Sequence, residues 1–198
     1  MNKLSTKSLI LCSLFAALIA VGAFIKIPIP VVPFTLQVLF TTLAGLLLGP
    51  KLGAISVGIY LLIGLIGIPV FTQGGGPSYI FQPTFGYLIG FLIGTYFTGY
   101  IAHKDKDPSL KRLIFASIGG LTIVYIIGMI YYYLIANYYL NSPITASAVM
   151  LYCCLLFIPG DIASCIVSSL IAKRTLPIIK GQLLTNEFNS QTYRKDYR

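Results

Sequence analysis

Six apolar runs, which between them hold a single charged residue, dictate what this chain can become. They lie at about Leu9 to Ile25, Leu36 to Leu48, Gly53 to Ile66, Phe85 to Ala102, Leu113 to Tyr138 and Ala146 to Ala172, each bounded by charge or by a Pro/Gly cluster. A bilayer core about 30 Å thick takes roughly 20 apolar residues as helix, and inside it every backbone N–H and C=O must be paired, which a helix achieves alone. The sequence therefore predicts an all-α integral membrane protein, a bundle of six transmembrane helices. Only 10% of the residues are charged, against about 25% in a soluble domain. The second and third runs are short and are separated only by the Gly49-Pro50-Lys51 turn, so they borrow flanking residues or sit off centre.

Lys3 and Lys7 mimic the start of a signal peptide, but the run that follows is long for one and five more runs succeed it. It is read as helix one. Of the 14 Lys and Arg residues, only Lys26 falls on the side away from the termini, which makes both termini cytoplasmic in a multi-pass protein of the cell membrane. The same asymmetry accounts for the +9 net charge: basic loops face anionic lipid headgroups, and no nucleic-acid partner is implied. Residues 1–180 form the membrane domain. Residues 181–198 are polar and lack apolar periodicity, which predicts a loosely ordered cytoplasmic tail.

The chain offers no engine of its own. A phosphate-binding G-x-x-x-x-G-K-[ST] loop is absent, and "GPKLG" reads as a turn. The one histidine, His103, lies in a solvated loop, and no second carboxylate is present in the membrane to pair with Asp161, so no catalytic residues, cofactor or metal are expected. Cys12, Cys153, Cys154 and Cys165 lack ligand spacing and read as packing residues. A coupled secondary carrier would show repeated halves, and "GIYLLIGLIG" with "GYLIGFLIG" is only a faint echo.

Three stretches carry the polar chemistry. "KIPIPVVPFTLQ", Lys26 to Gln37, is made extended by its three prolines; Thr35 and Gln37 either offer polar groups to a ligand or, for Thr35, cap helix two. In "FTQGGGPSYIFQPTFGYLIGF", Tyr79, Phe81, Phe85 and Tyr87 interleave with Gln82 and Thr84, the mixture a pocket for a small, flat, partly apolar ligand requires. In "FIPGDIAS", Pro159 and Gly160 loosen the helix beside Asp161, the only acidic residue in any apolar run. A mid-membrane carboxylate costs roughly 3 kcal/mol on insertion scales, so it faces either a cavity or a hydrogen-bonding neighbour in a sealed core.

"PIPVVPFTLQ", "AGLLLGPKLGAISVGIYLLIGLIGIPVF", "QPTFGYLIGF" and "IPGD" together resemble the BioY family, the biotin-binding S components of energy-coupling-factor (ECF) transporters, over about Leu9 to Lys173. The resemblance implies a six-helix subunit that captures biotin from outside and joins a membrane coupling subunit and a pair of ABC-type ATPases, which supply the missing engine. It implies that Asp161 accepts a ureido N–H, that Gln82 completes the ureido contacts, and that Tyr79, Phe81 and Tyr87 pack the bicycle. Family members often carry a lysine three positions after the aspartate, where this chain has Ser164. Lys26, or backbone N–H groups of the glycine-rich loop, is left to meet the ligand's carboxylate, and a biotin precursor or analogue is an alternative ligand.

Ser13, Ala16, Ala20 and Ala23 form a stripe of small residues along helix one, which is either internal packing or, as the resemblance implies for Ala16 and Ala20, the docking face for the coupling subunit. Two other functions stay open on the residues alone: a proton-coupled secondary carrier using Asp161, and a structural subunit without a ligand.

Overall fold

The computed structural model describes residues 6–27, 32–105 and 107–196, with 179–196 described by backbone alone. Helix α1 (Thr6–Phe24) leads into a short antiparallel ribbon, β1 (Lys26–Ile27) with β2 (Phe34–Thr35), in which Lys26 lies opposite Thr35. There follow α2 (Gln37–Ile66), a 3-10 turn (Pro77–Phe81), α3 (Phe85–Ala102), α4 (Leu110–Leu134) with a π turn (Ile135–Tyr139), α5 (Ala146–Met150) with a π turn (Leu151–Leu155), and α6 (Ile158–Asp196). The protein is an all-helical membrane bundle, and among the described residues five helical segments are long and apolar enough to cross a bilayer.

Five segments appear where six runs were expected because α2 absorbs two of them. It is not straight. Gly49 takes φ 81° and ψ −177°, outside the helical region and in one that favours glycine, and Pro50 follows it. In a straight helix Gln37 and Tyr60 would be about 34 Å apart at 1.5 Å per residue. Here Gln37 Nε2 donates to the Tyr60 hydroxyl at 3.0 Å, so the two arms of α2 fold back side by side. The turn seats against α3 at Gly99, where a β-carbon would fall 2.5 Å from the Pro50 nitrogen.

Hydroxyls at mid-helix return to the backbone of their own or neighbouring helices, as Ser117 does to the Leu113 carbonyl at 2.8 Å and Thr95 to Thr41 at 3.2 Å. That keeps polar groups satisfied where no water can reach them. Large apolar side chains such as Ile10, Ile66 and Phe115 point outward, as lipid contact allows. The buried core gathers aromatic rings, among them Tyr60, Phe71, Tyr79, Tyr87, Phe91, Tyr125 and Phe157, toward one end of the bundle.

The helical backbone of α6 runs on to Asp196. Ala16, read from sequence either as internal packing or as a docking face, is 4% exposed and belongs to the same core as Ile19, while Ala20 is partly buried against it.

Candidate functional site

The chain turns into α6 through Leu156 and Phe157, where the Leu156 and Phe157 amides still find the Leu151 and Cys154 carbonyls at 3.3 and 2.9 Å. Pro159 falls in the first turn of α6, where its missing N–H has no helical partner to lose. Asp161 lies in that same turn, at the end of the helix whose dipole favours a carboxylate. Gly160 leaves room for the Phe34 ring, which stacks on Phe157 at 6.3 Å between centroids; a β-carbon there would meet that ring at 2.6 Å.

Asp161 is 5% exposed, and the Tyr125 hydroxyl of α4 donates to its Oδ2 at 2.5 Å. Oδ1 has no hydrogen bond among the described residues. Both residues line a cavity that is open at one side. Its walls come from the ribbon and start of α2 (Phe34, Thr35, Gln37), the loop before α3 (Thr72, Tyr79, Thr84), α3 itself (Tyr87, Leu88, Phe91), α4 (Val124, Tyr125) and the start of α6 (Phe157, Asp161). Asp161 thus faces a cavity and also has a hydroxyl neighbour.

The wall is held by hydrogen bonds that consume most of its polar atoms. Tyr87 donates to the Cys153 carbonyl at 2.7 Å, at the π turn that exposes it, so its ring rather than its hydroxyl serves the cavity. Thr72 Oγ1 and the Tyr79 hydroxyl pair at 3.0 Å, and Tyr79 packs on Phe71 at 4.6 Å. Thr35 donates to Gln37 Oε1 at 3.2 Å and accepts the Gln37 N–H at 3.4 Å, so it joins the wall and steadies the start of α2 together.

Of the residues singled out from sequence, Asp161, Gln37, Tyr79, Thr84 and Tyr87 meet around the cavity. Gln82 and Phe81 are exposed on the 3-10 turn and its exit, with Phe81 stacked on Tyr139 at 4.9 Å. Ser164 is buried further along α6, outside the lining. Lys26 stands beside the lining, its Nζ donating to the Thr72 carbonyl at 2.7 Å. Residues 28–31 of the proline-rich stretch lie outside the described residues.

Sequence reasoning missed Tyr125, along with Phe34, Phe91 and Phe157. A signal for Tyr125 did exist. It is the lone tyrosine deep within "GGLTIVYIIGMIYYYL", far from the aromatic cluster at the helix end, and a phenol at that depth needs an acceptor.

A bundle of apolar helices around a cavity with a carboxylate in its wall is the arrangement of a solute-handling membrane protein. The BioY family model matches residues 1–181. The chain is 47% identical to the probable biotin transporter BioY of Lysinibacillus sphaericus, over 89% of this chain and 90% of that one, and 37% identical to the biotin transporter BioY of Thermotoga maritima, over 85% and 95%. A crystal structure of the S component for biotin from an ECF-type ABC transporter superposes with a TM-score of 0.71 at 30% identity, covering 87% of this chain and 94% of that one. The chain belongs to the BioY family.

Proposed function

We propose that this chain is the biotin-binding S component of an ECF transporter, capturing biotin from outside and delivering it with a membrane coupling subunit and a pair of ABC-type ATPases. The observation that carries the reading is the single carboxylate of Asp161, held by Tyr125 against an otherwise aromatic and aliphatic cavity. Biotin has the matching character: a ureido ring with two N–H donors and a carbonyl, an apolar thiophane, and a valerate carboxylate. Asp161 Oδ1 accepts a ureido N–H, the rings of Tyr87, Phe91 and Phe157 pack the bicycle, and Lys26, beside the lining at Thr72, meets the carboxylate.

The fold-back at Gly49 supports counting the two arms of α2 separately, which gives six crossings. An even number places both termini on one side, and the basic residues favour the cytoplasm.

Calorimetric titration of the purified chain in detergent with biotin tests the reading. Saturable binding of one biotin per chain is the expected result; no heat at biotin concentrations up to the millimolar range overturns it.

A further inference from the structure

Among the described residues, three helices have a hydroxyl residue at the N-cap, and one of the three behaves differently. Ser109 opens α4 and accepts the Arg112 N–H at 3.3 Å; Thr145 opens α5 and accepts the Ala148 N–H at 3.3 Å. Both are the ordinary use of such a residue, which satisfies an amide the first turn leaves unpaired. Thr84 opens α3, yet its side chain makes no capping bond; its backbone carbonyl instead accepts the Tyr87 N–H at 3.1 Å. It is also 9% exposed, and its Oγ1 is the one buried side-chain polar atom without a hydrogen-bond partner among the described residues. An orphaned hydroxyl in such surroundings is costly, and Thr84 lines the cavity.

Every other hydroxyl in that wall is engaged: Tyr125 with Asp161, Tyr87 with the Cys153 carbonyl, Thr35 with Gln37, and Thr72 with Tyr79. Asp161, as a carboxylate, only accepts, so it meets a ligand's N–H and offers nothing to a carbonyl on the same edge. We infer that the Thr84 hydroxyl is the donor for the ligand's ring carbonyl, making it a specificity-determining residue that reads a cyclic urea from the side Asp161 cannot. This rests on the biotin reading above and gives Thr84 a ureido contact that the resemblance implies for Gln82, which is exposed just after the 3-10 turn.

The test is a ligand–residue cycle using biotin and 2-thiobiotin, whose thione sulfur is a weak acceptor. Thr84→Val keeps the shape and removes the hydroxyl, and should weaken biotin binding about tenfold while changing 2-thiobiotin binding less than about threefold. Thr84→Ser should bind biotin within about threefold of the unaltered chain, as should Gln82→Ala. The ligand-free Thr84→Val protein should melt no lower than the original, because the orphan it loses had no partner. Equal weakening for both ligands, a lowered melting temperature without ligand, or a tenfold loss on Gln82→Ala overturns the assignment while leaving the biotin reading intact. Failure of the unaltered chain to bind biotin overturns both.

Discussion

Where α3 gives way to α4, polar side chains close on backbone and on one another. His103 Nε2 pairs with the Leu46 carbonyl at 2.8 Å, Arg112 donates to the Ile101 carbonyl at 2.9 Å and pairs with Asp105, and Lys173 reaches both Asp107 and the Pro108 carbonyl at 3.1 Å. At the opposite end the Asp161 carboxylate has one oxygen bonded and one open, and the Thr84 hydroxyl has no partner among the described residues. One end spends its polar groups on closure, in partly exposed positions where each interaction is worth little. The other holds two groups in reserve within an apolar wall, where a new partner gains more because water does not compete. Changes at the closed end should therefore register as stability and changes at the cavity end as affinity.

The largest expected effect belongs to the closed end and concerns backbone packing rather than charge. Gly99→Val places a β-carbon against the Pro50 nitrogen and the Gly49 carbonyl carbon, neither of which a rotamer change can move, so the α2 hairpin cannot seat. A loss of about 3 kcal/mol of stability, at the upper part of the overpacking range, should appear as a lower melting temperature and poor monodispersity in detergent. An unchanged melting curve would mean that the Gly49 turn is not held by α3.

At the cavity end, Asp161→Asn preserves shape but exchanges an anionic acceptor for a neutral amide. Biotin affinity should fall by roughly 1.5–3 kcal/mol, tenfold to a hundredfold, in calorimetry. A folded variant with unaltered affinity would remove the carboxylate from the site and with it the contrast between the ends.

Tyr125→Phe removes only the hydroxyl that holds Oδ2, and should weaken biotin by about 1 kcal/mol. Combined with Asp161→Asn, the two losses should add to less than their sum, because residues in one hydrogen-bonded unit are coupled. Strict additivity would show that Tyr125 acts as a wall and does not orient the carboxylate.

The smallest effect is expected for Lys173→Ala. Its partner Asp107 is largely exposed, so stability should change by less than about 1 kcal/mol and biotin affinity not at all. A measurable loss of affinity would mean that the two ends communicate.

Hydrophobicity accumulates along the chain, and what depends on it was legible there: the membrane class, the helical runs, the punctuation at Gly49-Pro50, and the anomaly of a carboxylate in the last run. Asp161 could be read as functional because its cost in an apolar segment is independent of what surrounds it. Gln82 and Thr84 could not be told apart in this way. They are two residues apart, equally polar and set in the same aromatic stretch, yet the 3-10 turn and the onset of α3 expose one and bury the other. Ala16 presented the same small-residue stripe whether it faced outward or inward, and only the packing of α1 turned it in.

Tyr125 was harder still, since its meaning depends on an oxygen 36 residues away in another helix. The sequence by itself determined that this chain lies in a membrane as helices and keeps one charge there, because transfer energies are properties of single residues and short runs. Tertiary structure alone decided which polar atoms face the cavity and which are already bonded, because each helix's rotation about its axis and the pairing of atoms between helices are set by packing, and side chains neighbouring in sequence diverge by about 100° per residue.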